Sequence, residues 1–190
     1  GCGTSYHSGL ICMRMLKQLE LFTSVQLFDG ADFSSVDIPT TGKSGAILIS
    51  QSGETKDLHR CIKICRAHSI FTIGVVNVVD SLIAREVDCG CYLHAGREVG
   101  VASTKAFTSQ VIVLTLISIW FAQEKEKCLV ERKQMITDLR KLHKDIQTII
   151  KTSVDNIENL LEIFQEQSSC FVLGKDMGES VAREGALKIK

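Results

Sequence analysis

Hydrophobic residues along the chain follow two periodicities, one helical and one typical of buried strands. Over residues 6–22 apolar side chains recur at helical spacing, so that Leu10, Met13 and Leu16 share one face. Short apolar segments that predict strands lie at 24–28, 45–50, 71–76 and 89–93. Further helices are predicted between these strands, at 55–68 and 81–86. Strands that alternate with helices indicate an α/β fold, in which a parallel sheet lies between two layers of helices.

The pattern becomes mostly helical after about residue 103. Helices are predicted at 103–123, 126–151 and around 154–164, followed by a strand at 170–174 and a helix at 179–190. The apolar spacing of the middle helix fits two arrangements, a coiled coil between two copies of the chain or packing against its own domain. We favour the second arrangement, packing against its own domain.

Both ends of the chain are expected to be cuts in a longer polypeptide. Residues 1–5 have the character of a turn that follows a strand, and the strand predicted at 170–174 has no later strand to pair with. Three parts are predicted: a first domain at 1–125 that lacks its first strand, a helical connection at 126–168, and the beginning of a second domain at 169–190. We expect this piece to be unstable alone, because a missing strand leaves backbone groups unpaired.

Composition excludes several classes of partner. Lys plus Arg and Asp plus Glu both number 22, so the net charge is zero, and no basic stripe suggests nucleic acid. The longest apolar segment, 111–122, is shorter than the ~20 residues of a membrane span. The eight cysteines fall mostly in apolar patterns, which predicts buried thiols of a cytoplasmic protein rather than disulfides. Their spacing does not repeat the pattern of a metal site, so no metal is expected.

The segment 50–55, with the sequence SQSGET, carries the clearest chemical signal. It lies between a predicted buried strand and a helix, where the carboxyl end of a parallel sheet binds ligands and a helix start attracts anions. Hydroxyl groups cap helices and glycines fill turns, so an ordinary turn is the alternative. A second hydroxyl pair, Thr4 and Ser5, opens another helix and favours a phosphate site. We expect the Glu54 carboxylate to point away from it.

A third segment, 97–107, precedes the long apolar helix. Ser103 or Thr104 is predicted to cap that helix. The small residues at 100–102 would let a ligand approach the backbone closely. Lys105 has the character of a surface or packing lysine, and composition does not decide between these roles.

Four segments together resemble a known family. They are CGTSY at 2–6, SQSGET at 50–55, EVGVASTKAF at 98–107 and EGALKIK at 184–190. In this order they are similar to the sugar-isomerase (SIS) half of the glutamine–fructose-6-phosphate aminotransferases. SQSGET is shared by several kinds of SIS protein, whereas the last two segments are more specific. The resemblance covers the whole chain and implies a three-layer α/β/α domain with a flavodoxin-like parallel sheet, followed by helices and the start of a second SIS module.

The resemblance also implies site residues. Those implied to bind the phosphate of fructose 6-phosphate or glucosamine 6-phosphate are Ser5, Ser50, Gln51, Ser52 and Thr55. Those implied to line the sugar are Thr4, Val101 (through its backbone) and Ser103. Lys188 would lie near the reacting carbons as a catalytic residue, and the main catalytic base would follow directly after Lys190.

The reaction implied by the resemblance forms glucosamine 6-phosphate from fructose 6-phosphate and glutamine-derived ammonia, for the biosynthesis of UDP-N-acetylglucosamine. It needs no cofactor. The implied partners are the hexose phosphate, a glutaminase domain of the same parent chain and further copies of the protein, without nucleic acid or membrane. We expect the piece alone to bind phosphosugar and to be inactive. The alternative is a non-catalytic SIS module that senses a phosphosugar for regulation.

Overall fold

The computed structural model describes residues 1–100 and 103–190. Its helices are α1 (Thr4–Gln18), α2 (Lys56–Ala67), α3 (Leu82–Glu86), α4 (Lys105–Glu124), α5 (Leu129–Gln165) and α6 (Met177–Ile189), with a 3-10 turn at Ser35–Asp37. Its strands are β1 (Gly45–Ser50), β2 (Phe71–Val76) and β3 (Cys89–Tyr92). The alternation of strands and helices over this part of the chain confirms the predicted α/β class.

The three strands form a parallel sheet in the order β1-β2-β3. Ser50 at the end of β1 stands beside Val76 at the end of β2, so the loops after these strands leave the sheet side by side. Successive side chains of a strand point to opposite faces. Accordingly, Ile49 joins one core cluster with residues of α1 and α4, whereas Leu48 joins another with residues of α2 and α3. Helices therefore cover both faces of the sheet, as predicted.

Two predicted strands are wrong. The segment 24–28 forms no strand and pairs with no strand in the described part of the chain. Its apolar residues are instead used in packing, since Val25 lies against the core cluster of α1 and the Leu27 side chain approaches Gly9. The segment 170–174 also forms no strand, and its Phe171 side chain is 90% exposed. An apolar pattern predicts burial, whereas a strand also needs a neighbour with which to share hydrogen bonds.

The helices predicted at 126–151 and around 154–164 form one helix, α5. No proline or glycine interrupts this stretch, and the Thr148 and Thr152 hydroxyls donate to backbone carbonyls within the helix rather than ending it. Near its start α5 packs against α4, with Met135 touching the core cluster. Further along, apolar side chains such as Ile149 and Leu161 are exposed. The favoured packing of this helix against its own domain is thus found near its start, and the alternative, a coiled coil between two copies, is untested.

The helix α4 is long and apolar enough to cross a membrane by length and composition alone. In this structure it packs against α1 and α5 and buries the polar side chains of Gln110, Thr115 and Ser118. Thr115 and Ser118 donate to backbone carbonyls of their own helix, which satisfies their hydroxyls in the core. Packing in the protein core accounts for one side of α4, whereas Leu116 and Trp120 on the same helix are half exposed.

Every cysteine is a free thiol. Cys12, Cys61 and Cys65 are buried in the helices α1 and α2, as predicted. Cys89 and Cys91, by contrast, are exposed on β3. They follow each other at a spacing of two and so share one face of a strand. This strand pairs with β2 on one side only, and that face is left largely uncovered in the described residues. Cys170, in the extended segment after α5, is exposed as well.

Candidate functional site

The starts of several helices meet at the carboxyl edge of the sheet. The helix α2 follows directly on the loop after β1, and α4 follows the segment after β3. The helices α1 and α4 run parallel, because Ser5 contacts Gln110 near their starts and the Leu19 carbonyl accepts from Cys128 Sγ just beyond their ends. The start of α1 therefore also lies at this edge. In parallel α/β sheets ligands bind at this edge.

The loop 50–55 is shaped by its own hydroxyl groups. The Gly53 backbone N–H donates to Ser50 Oγ at 3.0 Å, and Ser50 Oγ lies 3.0 Å from Thr55 Oγ1. The Glu54 N–H donates to Ser52 Oγ at 3.1 Å. Gly53 has a φ of +69°, in the left-handed region that glycine adopts without strain. These contacts hold the loop in a tight turn directly before α2.

The Glu54 carboxylate points away from this loop, which confirms the prediction for it. Its Oε1 accepts a hydrogen bond of 2.8 Å from the Leu82 backbone N–H, at the start of α3. Next to it, the Ile83 N–H donates to the Gly53 carbonyl at 2.9 Å. The first turn of α3 thus holds the loop from outside.

The Glu98 carboxylate occupies the start of α4. It accepts from the backbone N–H groups of Thr104 (2.7 Å) and Lys105 (2.8 Å) and from the Ser103 hydroxyl. Burial raises the pKa of Glu98, but these hydrogen bonds outweigh burial and leave the pKa below its ordinary value. Thr104 is the N-cap residue, one of the two predicted, but its side chain makes no capping hydrogen bond, and the capping group is the Glu98 carboxylate.

In residues 1–100 and 103–190 no carboxylate is bonded to the N–H groups at the start of α2, although Asp57 lies in its first turn. Its first residue is preceded by Thr55, whose side chain bonds to Ser50 and not to the helix. Free N–H groups of the first turn and the helix dipole attract an anion. At the start of α3 a backbone N–H donates to Glu54, and at the start of α4 two backbone N–H groups donate to Glu98. The start of α2 instead faces the hydroxyl-rich loop 50–55.

At the start of α1, Ser5 is held by a buried amide. Gln110 Nε2 donates to Ser5 Oγ at 2.9 Å, and Ser8 Oγ donates to Gln110 Oε1 at 2.9 Å. Gln110 is fully buried and Ser5 is 6% exposed. Both ends of the amide are used, so the position of Ser5 is fixed from within the core.

A second cluster joins α1 to α6. Glu184 Oε1 accepts from Lys188 Nζ at 2.6 Å and from Thr4 Oγ1 at 3.0 Å, and Lys188 Nζ also lies 3.2 Å from Thr4 Oγ1. Glu184 Oε2 lies 2.7 Å from His7 Nδ1. Burial raises the pKa of Glu184, but hydrogen bonds from Lys188, His7 and Thr4 outweigh it, so the pKa lies below its ordinary value.

The structure brings most of the predicted site residues into these arrangements. Ser50, Ser52 and Thr55 shape the loop before α2, and the Gln51 carbonyl accepts from the Asn77 N–H after β2 at 3.3 Å. Thr4 and Lys188 meet through Glu184, Ser5 is held by Gln110, and Ser103 is bound to Glu98. Val101 lies outside the described residues.

Sequence reasoning missed Gln110, His7 and Glu184. A glutamine within the apolar helix 103–123 was a signal, because a buried amide needs partners. The spacing of four between Glu184 and Lys188 was another, because it places the two charges together on a helix.

Away from the carboxyl edge, a cleft of about 220 Å³ lies beside the amino end of β2 and is an alternative candidate site. Its charged groups are already paired, since Arg66 donates to Glu86 Oε2 at 3.0 Å and the Thr72 hydroxyl donates to Asp88 at 2.7 Å. In residues 1–100 and 103–190 no group of three or more His, Cys, Asp or Glu side chains is arranged to hold a metal ion. The carboxyl edge is the better candidate site.

The fold and this edge define a class: a three-layer α/β domain whose parallel strands end in a hydroxyl-rich loop at a helix start. The model of the SIS-domain family matches residues 1–119, and the chain belongs to that family. A solved structure, the C-terminal domain of glucosamine-fructose-6-phosphate aminotransferase from Francisella tularensis, is 26% identical with a TM-score of 0.83. The similarity covers 100% of this chain and 53% of that one.

Longer relatives match over the whole chain. A protein described as a probable glutamine–fructose-6-phosphate aminotransferase (isomerizing) of Acanthamoeba polyphaga mimivirus is 46% identical over 190 residues, which is 31% of its length. Glutamine–fructose-6-phosphate aminotransferase (isomerizing) 2 of Homo sapiens is 37% identical over 191 residues, which is 28% of its length. The chain thus spans less than a third of these relatives.

Proposed function

We propose that this chain is part of a glutamine–fructose-6-phosphate aminotransferase (isomerizing) and that its loop 50–55 binds the phosphate of fructose 6-phosphate. The observation that carries the proposal is the start of α2, which follows a loop with three hydroxyl groups. The neighbouring starts of α3 and α4, by contrast, are already bound by the carboxylates of Glu54 and Glu98. The names of the relatives supply the particular reaction.

The loop fits a phosphate on physical grounds. A phosphate dianion needs several short donors and a positive potential, and a helix start provides N–H groups and a partial positive charge. The internal bonds among Ser50, Thr55 and the Gly53 N–H fix the loop before a ligand arrives. Little ordering is then needed on binding, which favours affinity. Glu54 does not repel the phosphate, because its carboxylate is engaged at α3.

The cluster on α1 and α6 is proposed to face the sugar. Lys188 stands at Thr4 as one half of an ion pair with Glu184, and it would donate hydrogen bonds to a sugar oxygen or to a developing negative charge. Thr4 would complete the contact. Ser103 and the Val101 backbone, which the resemblance assigns to the sugar, belong to the segment that leads into α4.

The whole reaction requires more than these residues supply. Adding ammonia to the C2 carbonyl of the open-chain ketose and moving a proton between C1 and C2 call for a general base and an ammonia source. We propose that the base lies beyond Lys190 and that a glutaminase domain of the same polypeptide supplies the ammonia. Residues 1–190 would then contribute the phosphate loop and part of the sugar contacts.

The test uses the full-length protein and two coupled assays, glucosamine 6-phosphate formation and glutamine hydrolysis. Replacing Ser52 with alanine removes the hydroxyl that accepts from the Glu54 N–H. We expect Ser52→Ala to raise the KM for fructose 6-phosphate about 10-fold or more, equivalent to one or two lost charge-assisted hydrogen bonds. Glutamine hydrolysis should change little.

Ser168→Ala, at an exposed position after α5, is the matched control and should leave both assays unchanged. Equal losses of Ser52→Ala in both assays would contradict the phosphate assignment. Binding of fructose 6-phosphate without product formation by the wild-type protein would instead favour the regulatory, phosphosugar-sensing alternative.

A further inference from the structure

The Glu184 carboxylate is nearly sealed between α1 and α6, and its two oxygens have different partners. Its side chain is 6% exposed. Oε1 is shared by Lys188 and Thr4, both on the proposed sugar side of the cluster. Oε2 is held by His7 alone among the described residues. Glu184 therefore connects His7 to Lys188 without any direct contact between them.

His7 is itself fixed in place. Its side chain is 14% exposed, and Nδ1 lies 2.7 Å from Glu184 Oε2, so the ring donates its Nδ1 proton to the carboxylate. Its backbone carbonyl accepts from the Ser180 hydroxyl of α6. The residue is thus tied to α6 at both its backbone and its ring, although neither the phosphate loop nor the sugar contacts use it.

A carboxylate that has donors on both oxygens, here Lys188 and Thr4 on Oε1 and His7 on Oε2, has a fixed plane. If the donor on Oε2 is lost, that buried oxygen has no partner, and the group gains by rotating toward Lys188 or Thr4. Such a rotation moves Oε1, and with it the ammonium group of Lys188. The position of Lys188 at Thr4 therefore depends on the hydrogen bond from His7.

We propose that His7 is a positioning residue that acts through Glu184 to hold Lys188 Nζ at the Thr4 hydroxyl. The inference rests on the proposed function, since it gives Lys188 a role at the sugar. His7 is not among the proposed sugar contacts, and its bonds are to Glu184 and Ser180 of α6. Its effect should appear in turnover more than in substrate binding, because the phosphate loop 50–55 is held by separate contacts.

The experiment compares replacements of His7 in the full-length protein. Asparagine places its amide nitrogen on Cγ, at the position of the histidine Nδ1, and can keep the bond to Glu184. Leucine has a similar size and no donor. We expect His7→Leu to lower kcat for glucosamine 6-phosphate formation about 10- to 100-fold with the KM for fructose 6-phosphate within about twofold, since small misplacements have such effects. His7→Asn should stay within about threefold of wild type.

His143→Leu is the matched control, because His143 is an exposed histidine of α5 outside this cluster and the phosphate loop, and it should leave kcat unchanged. Melting curves check that each variant folds. If His7→Leu does not fold, His7→Gln replaces it, since glutamine carries its amide one carbon further and cannot match Nδ1. An unchanged kcat in the variant without the Nδ1 donor, or equal losses in it and in His7→Asn, would overturn the proposal.

Crystal structures of the variants provide a second test, a distance measurement that does not depend on activity. The distance of 3.2 Å between Lys188 Nζ and Thr4 Oγ1 should persist in His7→Asn and lengthen in His7→Leu or, where that is used, His7→Gln. An unchanged distance in the variant that lacks the donor would overturn the inference. A wild-type protein that forms no glucosamine 6-phosphate would overturn the proposed function instead, and the two failures are thereby distinguished.

Discussion

Gly53 offers the sharpest test of the geometry at the loop 50–55. Its φ of +69° lies in the left-handed region, and a Cβ added there would stand 2.0 Å from Ser81 Oγ and 2.4 Å from Ser81 Cβ. Ser81 is only 3% exposed, so its side chain has little room to move away. Gly53→Ala therefore meets two costs, one from the backbone and one from the collision.

Gly42 separates these two costs. Its φ is +82°, but no atom lies within 4 Å of a Cβ added there. The left-handed backbone costs an alanine about 1–2 kcal/mol, and reduced freedom of the unfolded chain offsets about 0.4–1 kcal/mol of that. Gly42→Ala should thus lower the free energy of unfolding by about 1 kcal/mol. Gly53→Ala adds overpacking of about 1–3 kcal/mol and should cost about 3 kcal/mol in all.

The assay measures thermal unfolding and the KM for fructose 6-phosphate in the full-length protein. Gly53→Ala should lower the melting temperature clearly more than Gly42→Ala, and it alone should raise the KM, because the collision displaces the loop. Adding Ser81→Gly to Gly53→Ala removes both colliding atoms and should restore part of each loss. The reasoning is refuted if Gly53→Ala and Gly42→Ala behave alike in both measurements.

Two further predictions concern ionisable groups. The pKa of Glu184 is lowered in the folded protein, so its stabilising contribution is complete above its ordinary value of 4.5 and is lost as the pH falls through the lower folded value. The difference in melting temperature between wild type and Glu184→Gln should narrow below about pH 4.5, and a constant difference down to about pH 3 would contradict this. Burial raises the pKa of Cys12 and Cys65 to about 11. Mass spectrometry after thiol alkylation at about pH 8 should find the exposed Cys89, Cys91 and Cys170 modified first, and modification of native Cys65 at the rate of Cys89 would contradict the burial.

The elements that sequence predicted well are those whose pattern is local. β1 and β2 appear as short continuous apolar segments, because both of their faces are covered by helices. The loop 50–55 was recognisable because its hydroxyls stand between such a strand and a helix. Each of these signals is contained in a short stretch of chain, so no knowledge of distant contacts is needed to read it.

The features that the sequence did not predict depend on contacts between residues far apart in the chain. The segment 24–28 has the apolar pattern of a strand, yet that pattern serves packing on α1, and only the pairing of strands shows the difference. His7 and Glu184 are separated by 177 positions, and neither residue alone signals the bond between them. Contacts between distant residues decide these features, and a single sequence does not show them.

The carboxylates around the site explain how it can attract a phosphate in a chain with no net charge. Glu54 and Glu98 are each bound to backbone N–H groups of a neighbouring helix start, and Glu184 is matched by Lys188 and His7. A carboxylate engaged in this way has its negative charge balanced locally and contributes little repulsion to a nearby anion. Of the starts of α2, α3 and α4, that of α2 then has no carboxylate bonded to its N–H groups in the described residues, although Asp57 lies in its first turn. The proposed phosphate site would therefore rely on helix-start N–H groups and loop hydroxyls rather than on an arginine.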